Sequence, residues 1–150
     1  MNTYALPVIA FAIAIGAAQV ADRQSIISFA ERESVRALTF KQGDRDAFTS
    51  VRESFTPEAW TAFVKHMQGW LDANGAPVFA STFVSAGKAR IVAEEAGAVH
   101  VRIPGTLTHA QHHSKTTYRP FAVDVWAAGD PLRIQKFTQT TCLGASTACQ

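Results

Sequence analysis

The hydrophobic residues of this chain change their spacing once, near Pro77, and that change constrains the fold more than any other feature. Before Pro77, apolar side chains recur every three or four residues, which is the period of an amphipathic helix. After it they alternate with polar ones, which is typical of strands with one buried face. The alternating runs lie near 78–85, 88–95, 98–107, 116–126 and 132–141. The sequence therefore predicts an α+β fold, with helices first and an antiparallel sheet second.

Three helices are expected in the first half of the chain. The first covers residues 22–41, and a short second helix ends near Phe55. Thr56 is a good N-cap for the third helix, and Pro57 suits its first position because the missing amide hydrogen would be unpaired there. This helix is expected to continue to Asn74. Its apolar stripe consists of Trp60, Phe63, Val64, Met67 and Leu71.

The second half predicts a curved sheet of about four strands. Ala86 and Gly87 are interpreted as a bulge or bend that joins the first two runs into one long strand. Turns are expected at 95–97, in the HAQHHS segment, and at 129–131, where Gly, Pro and polar residues cluster. The helices are expected to cover one face of this sheet, giving a cone-shaped domain over residues 22–150.

The composition supports one compact domain and excludes two classes of protein. With 150 residues, 47% of them hydrophobic, and a net charge of +2, the chain is too apolar and too weakly charged to be disordered. Its basic residues are scattered singly, so no phosphate-binding stripe forms and no nucleic-acid partner is expected. It contains no Gly-rich nucleotide loop, CxxC or HExxH motif, and we predict neither a cofactor nor a metal.

Residues 1–18 are predicted to be a signal peptide or a membrane anchor. The apolar run from Tyr4 is about 15 residues long, shorter than the roughly 20 that a spanning helix needs. Gly16 and Ala18 provide small residues for cleavage before Gln19, which favours a signal peptide. No Lys or Arg precedes the run, so an uncleaved anchor remains open, and a buried helix of the domain is the third alternative. With either of the first two, the domain lies outside the cytoplasm.

Cys142 and Cys149 are the two cysteines of the chain. In the oxidising environment outside the cytoplasm they are predicted to form a disulfide, which would contribute about 2 to 2.5 kcal/mol at most by the loop-entropy estimate. Two unpaired thiols are the alternative. A metal or redox role is disfavoured because the spacing is not CxxC.

The segment LTFKQGDRDAFTSVRESFTPEAWTAFVKHM, residues 38–67, resembles the periplasmic domain of the DotI/IcmL family of type IV secretion components. In that family an aromatic-ended first helix, a short second helix and an FTP-type start to an aromatic third helix recur. Weaker similarity continues through Arg119-Pro120-Phe121, so the resemblance covers about residues 25–141. It implies three helices followed by a curved meander, as in the nuclear transport factor 2 fold.

The resemblance also implies a function. Members of the DotI/IcmL family are scaffolds of the inner-membrane part of the secretion apparatus and have no catalytic residues. We therefore expect a non-catalytic interaction protein, either periplasmic or anchored in the inner membrane and facing the periplasm. Its expected partners are other protein subunits of an envelope complex, with self-association as a further option.

Alternation along the predicted strands provides a test for enzymatic chemistry. It places apolar residues such as Val101 and Val123 towards the helices, and Asp124 and His100 on the opposite face. The hollow is then expected to be apolar and to lack the general base that an enzyme needs. The same fold hosts ketosteroid-isomerase-like enzymes, so a pocket protein that binds or converts an apolar small molecule is the alternative function. A His, Asp or Tyr inside the hollow would favour that alternative.

The same alternation predicts a mixed aromatic and basic surface on the outward face of the sheet. Aromatic residues and arginine are enriched at interface hot spots, so this surface is the candidate site for a protein partner. A sheet face partly covered by the C-terminal tail is the alternative. The predicted surface consists of His100, Arg102, Tyr118, Trp126 and Phe137.

Three histidines, His109, His112 and His113, lie within five positions and could in principle hold zinc or copper. Yet HAQHHSK lies between two strand patterns and is rich in polar residues, which favours a solvated hairpin loop. No carboxylate lies near in sequence to orient an imidazole ligand. We therefore expect these side chains to be exposed in a loop.

Overall fold

The computed structural model describes residues 15–141, with side chains described from Arg23 onward. Three helices precede a five-stranded antiparallel sheet. The helices are α1 (Ile15–Leu38), α2 (Arg45–Ser50) and α3 (Pro57–His66), with 3₁₀ turns at Val51–Ser54 and Gln68–Trp70. The strands are β1 (Ala80–Ser85), β2 (Arg90–Glu95), β3 (Ala98–Gln111), β4 (Ser114–Ala128) and β5 (Arg133–Thr141). The predicted α+β fold is confirmed.

The sheet is four strands wide although it contains five strands. β1 pairs with the second half of β3, from Ala80 opposite Ala110 to Ser85 opposite Gly105. β2 pairs with the first half of the same edge of β3. The first two strands therefore lie end to end, as expected for one long strand interrupted after Ser85. β4 and β5 complete the order β1-β3-β4-β5.

The helices begin and end partly where the sequence predicts. α3 starts at Pro57, and the Thr56 hydroxyl accepts a hydrogen bond from the Ala59 amide at 3.3 Å, as expected of an N-cap. The helix ends at His66 rather than near Asn74. The rest of the predicted helix contains the 3₁₀ turn at Gln68–Trp70. Gly69 lies in that turn, and glycine in a helix interior costs about 1 kcal/mol relative to alanine.

α1 is longer than the sequence predicts. It begins at Ile15, inside the segment predicted as a leader. Within residues 15–141, no helix is long and apolar enough to cross a membrane. The rest of that segment and both cysteines, Cys142 and Cys149, lie outside the described residues, so the leader and the disulfide stay predictions.

The core between the helices and the sheet is rich in aromatic rings. Phe63 of α3 is 2% exposed and lies 5.1 Å from Phe55 and 5.1 Å from Phe137, measured between ring centroids. Phe48 and Trp60 extend the cluster, at 5.9 and 5.6 Å from Phe63. Because Phe137 belongs to β5, this cluster joins the helices to the last strand.

The sheet has three register shifts, and those in β4 and β5 change which face later side chains occupy. Gly105 pairs with Phe121 and Leu107 with Tyr118, so β4 carries one extra residue there. Trp126 pairs with Lys136 and Ala127 with Ile134, so β5 carries an extra residue as well. One extra residue moves every later side chain to the other face of a strand. The predictions that placed Tyr118 and Phe137 on the outward face are therefore wrong, because both face the helices.

Candidate functional site

A cluster of five polar and aromatic residues occupies the face of the sheet that points away from the helices. We call it the outer cluster. Strand pairing explains how it forms, because His100, Trp126 and Lys136 lie side by side in one row and Arg102 lies opposite Asp124 in the next row. His100, Arg102 and Trp126 lie on the face predicted for them, and a partner surface there stays a prediction.

Asp124 is the charged centre of the outer cluster. Although it lies on the outward face, it is only 4% exposed. Its Oδ1 accepts hydrogen bonds from Arg102 Nε at 2.9 Å and from His100 Nε2 at 2.6 Å, and its Oδ2 lies 3.3 Å from Arg102 Nη2. A buried carboxylate needs such partners to offset its lost hydration. Asp124 therefore forms a cross-strand ion pair with Arg102.

Trp126 is fixed between two neighbours in the outer cluster. Its ring stacks on His100, with 4.0 Å between centroids and 13° between planes. The Lys136 ammonium lies 4.5 Å from the centre of the Trp126 ring, which is cation–π geometry. Since Arg102 and Asp124 neutralise each other, the surface presents a stacked aromatic ring with the Lys136 charge beside it.

A pocket of ≈ 520 Å³ opens on the opposite, helix-facing side of the sheet. We call it the aromatic pocket. It lies between the 3₁₀ turn after α3 and strands β3, β4 and β5. Its lining consists of His66, Gly69, Trp70, Phe79, Leu107, His109, Tyr118, Phe121, Gln139 and Thr141.

His109 lies at the wall of the aromatic pocket. Its ring centroid is 4.4 Å from those of Trp70 and Phe79 and 5.2 Å from that of Tyr118. Its Nε2 atom is buried and has no hydrogen-bond partner. Burial lowers the pKa of the His109 imidazole below its usual range, because the charged form loses hydration.

The position of His109 corrects two predictions. β3 continues to Gln111, and the hairpin turn is only His112 and His113, so His109 lies in a strand rather than in a solvated loop. The hollow is not free of ionisable groups, since His109 and Tyr118 both line it. By the criterion set from the sequence, this observation favours the alternative function, a pocket protein. Among the side chains that the structure describes, no group of three His, Cys, Asp or Glu residues is arranged to hold a metal ion.

Glu33 is a buried carboxylate that sequence analysis did not single out. It lies on α1, and its Oε2 accepts hydrogen bonds from Ser54 at 2.7 Å and from Arg36 at 2.8 Å, while Oε1 accepts one from Arg32 at 2.8 Å. Burial alone would raise the pKa of Glu33, but these hydrogen bonds and the two arginine charges outweigh it and lower the pKa. The sequence feature that could have identified Glu33 is its position next to Ser34, on the face of α1 that is buried in the structure.

Three solved structures have the same overall architecture as this chain. An IcmL-like type IV secretion system protein from Legionella pneumophila superposes with a TM-score of 0.68 at 11% identity, covering 84% of this chain and 97% of that protein. The periplasmic domain of DotI gives a TM-score of 0.65 at 15% identity, with coverages of 79% and 95%. The chain has the IcmL/DotI fold. This confirms the structural resemblance predicted from the helix starts.

A conjugation protein shares this fold more distantly. The putative transfer protein TraH of a Gram-positive conjugative plasmid gives a TM-score of 0.59 at 8% identity, covering 83% of this chain and 97% of TraH. No protein-family model matches the sequence, and no curated protein sequence is similar to it. The likeness of this chain to the IcmL-like protein and to DotI is therefore seen in the three-dimensional fold and not in the sequence as a whole.

Proposed function

We propose that this protein is a non-catalytic component of a type IV secretion or conjugation apparatus and that it works through protein contacts in the cell envelope. Its fold is that of a type IV secretion system protein, the periplasmic domain of DotI and a conjugative transfer protein. The observation that carries the proposal is the outer cluster, where Trp126 is held between His100 and Lys136 on the sheet face opposite the helices of residues 15–66.

The outer cluster supports a protein partner for an energetic reason. Trp and Arg residues that are already held in one conformation lose little entropy on binding, so they are effective interface anchors. Asp124 fixes Arg102, and His100 and Lys136 fix the Trp126 ring. A sheet face that contacts only water gains nothing from holding an arginine and a tryptophan in fixed conformations.

The charge of the outer cluster indicates which partner it fits. Arg102 is neutralised by its ion pair with the buried Asp124 carboxylate, so the positive charge beside Trp126 is that of Lys136. Complementary charge speeds association and selects partners. We therefore propose an envelope subunit that presents an apolar patch bordered by Asp or Glu.

The proposed location is the periplasm, or the inner membrane facing it. The predicted leader, residues 1–18, supports export, and one of the structures with this fold is a periplasmic domain. The mass of the protein isolated from its native envelope distinguishes the two locations. A mass that begins at Gln19 rejects the anchor, and one that begins at Met1 rejects cleavage.

Co-purification from the native envelope tests the proposed surface. We expect Trp126→Ala and Lys136→Glu to lose the subunits that co-purify with the wild-type chain. Lys115→Glu is the matched control, because Lys115 lies on β4 with an exposed side chain, opposite Ala110 and far along the strand from Trp126. Melting temperatures measured in parallel show that each variant is folded.

Two results would contradict the proposal. One is that the outer-cluster variants retain the same subunits as the wild type. The other is that no envelope subunit accompanies the wild-type chain at all. Sedimentation of the purified chain adds the case of self-association: a dimer that Trp126→Ala dissociates identifies the partner as a second copy.

A further inference from the structure

A cleft of ≈ 440 Å³ opens between α1, the 3₁₀ turn at Val51–Ser54 and the turn that joins β4 to β5. We call it the arginine cleft. Its volume lies within the roughly 300–1,000 Å³ of typical ligand pockets. The charged residues among those that line it are three arginines and two glutamates, namely Arg32, Arg36, Arg133, Glu33 and Glu53. The cleft therefore has one positive charge in surplus.

Glu33 holds two of these arginines in one arrangement. Its side chain is 3% exposed, and its Oε1 accepts a hydrogen bond from Arg32 Nε and its Oε2 one from Arg36 Nη1, both at 2.8 Å. The Arg32 and Arg36 side chains remain 62% and 40% exposed. A guanidinium group has five N–H donors, so each arginine keeps donors that Glu33 does not use. Both are therefore oriented and still able to donate to a ligand.

Arg133 supplies the surplus charge. The two glutamates are matched by the arginines of α1, since Glu33 pairs with both and Glu53 lies 3.9 Å from Arg36 Nη2. Arg133 Nη1 donates instead to a backbone carbonyl oxygen at 3.2 Å, and within residues 23–141 it has no carboxylate partner. A guanidinium group binds a carboxylate through two parallel N–H···O bonds. An anionic ligand can therefore pair with Arg133 without displacing an existing ion pair.

Apolar side chains lie beside these charges. Phe29, Pro131 and Leu132 also line the cleft, and the Arg32 guanidinium carbon lies 5.7 Å from the centre of the Phe29 ring. Burial of an apolar group against such side chains stabilises a complex in proportion to the area removed from water. A doubly charged ligand would bring one more negative charge than the cleft can pair, which is unfavourable. The ligand that fits is therefore a single carboxylate attached to an apolar group.

We infer that the arginine cleft binds a small organic acid, whose one carboxylate pairs with Arg133 and whose apolar group lies against Phe29 and Leu132. The inference concerns binding and includes no reaction. It goes beyond the proposed contact role, since the cleft shares no lining residue with the outer cluster. The two sites can therefore be tested separately.

Three compounds test this inference on the full chain. 4-Fluorobenzoate has a ring and a negative charge, 4-fluorobenzamide keeps the ring in an uncharged form, and acetate has the charge without the ring. We expect 4-fluorobenzoate to bind about tenfold more tightly than the amide, the smallest factor typical of one hydrogen bond to a charged group. Acetate should displace 4-fluorobenzoate only at much higher concentration. Fluorine NMR titration measures these affinities.

A variant and its control assign the charge to Arg133. Arg133→Gln keeps a polar side chain but removes the charge, so it should bind 4-fluorobenzoate no better than the amide. Arg45→Gln is the matched control, because Arg45 is exposed on α2 and does not line the cleft, and it should retain the wild-type preference. If Arg133→Gln fails to fold, amide NMR on the wild type replaces it. 4-Fluorobenzoate should then shift the Leu132 and Arg133 signals and leave that of Trp126 unchanged.

Four results would overturn the inference. Equal affinity of the wild type for 4-fluorobenzoate and its amide removes the ion pair, and no binding of either compound removes the site. Acetate that competes as well as 4-fluorobenzoate removes the apolar contact. An unchanged preference in Arg133→Gln, or amide shifts away from Leu132 and Arg133, places the ligand elsewhere. None of these results bears on co-purification through the outer cluster.

Discussion

The Asp124 carboxylate lies 2.6 Å from His100 Nε2, on the face of the sheet that points away from the helices. The two residues are diagonal neighbours on adjacent strands, since Asp124 is paired with Arg102 and His100 with Trp126. This one hydrogen bond joins the ion pair to the stacked rings. The outer cluster is therefore a connected unit rather than a set of separate side chains.

Asp124→Asn should destabilise the fold. The substitution keeps the shape of the side chain but removes its charge, and hydrogen bonds to charged groups contribute about 1.5–3 kcal/mol each before relaxation. We expect the free energy of unfolding to fall by about 2 kcal/mol, measured by urea denaturation. Asp130→Asn, in an exposed turn, is the control, and an equal effect of both variants would contradict a role for the cluster in stability.

Glu33 should make the protein less stable in acid. Its pKa is lowered in the folded state, so the unfolded chain takes up the proton first as the pH falls. The stabilisation is therefore complete above the ordinary pKa of 4.5 and is lost as the pH falls below it. Melting temperatures of the wild type and Glu33→Gln should differ at pH 7 and converge towards pH 3. A constant difference would argue against this linkage.

His109 should titrate below its ordinary pKa of 6.5. Because the folded state keeps its imidazole neutral, protonation of the unfolded chain lowers stability as the pH falls below 6.5. NMR titration of the ring protons measures the midpoint directly. His109→Phe should show a smaller loss of melting temperature between pH 7.5 and 5.5 than the wild type does, and an identical loss would refute the assignment.

Gly105→Ala should strain the sheet. A Cβ atom at Gly105 would lie 2.4 Å from the Val84 carbonyl oxygen and 2.5 Å from Phe83 Cε2, so the strands must shift. Overpacking of this kind costs about 1–3 kcal/mol, which calorimetric melting would detect. Gly69→Ala is the matched control, because a Cβ there meets nothing within 4 Å. Comparable melting of the two variants would show that β1 and β3 can separate freely.

Phe63→Ala should remove the centre of the aromatic core. Phe63 is 2% exposed and contacts rings from α2, α3 and β5, so its loss leaves a cavity between the helices and the sheet. Phe→Ala changes in cores cost about 3–5 kcal/mol. Lys65→Ala, exposed on the same helix, controls for helix propensity. A urea midpoint unchanged in Phe63→Ala would mean that α3 is not packed as described.

The positions of the helices and strands follow from the sequence, whereas the faces of the strands follow from it only in part. The start of α3 at Pro57 follows from local chemistry, since Thr56 caps the helix through its own hydroxyl. The end of α3 could not be predicted in the same way, because Met67 and Trp70 are apolar and continue the helical pattern. Their backbone instead closes a 3₁₀ turn, with Trp70 N donating to Met67 O at 2.8 Å.

The residues of the candidate sites were likewise predicted correctly in some cases and not in others. No register shift lies between the pair of His100 with Trp126 and the pair of Arg102 with Asp124, so counting along β3 and β4 placed these four residues on one face correctly. Tyr118 and Phe137 lie beyond a shift and were misplaced. His109 was missed because its polar neighbours resemble a loop, whereas pairing with Thr116 keeps it in the strand.

The sequence by itself determined the fold class, the order of the elements and the cap of α3, because hydrophobic period and capping act over a few neighbouring residues. Tertiary structure alone decided which side chains meet in the aromatic pocket. A strand face depends on counting every residue by twos, and the extra residue in β4 lies opposite Gly105, whose backbone packs closely against Phe83 of β1. Such contacts leave no local pattern, and so the pocket around His109 could be recognised only in the folded chain.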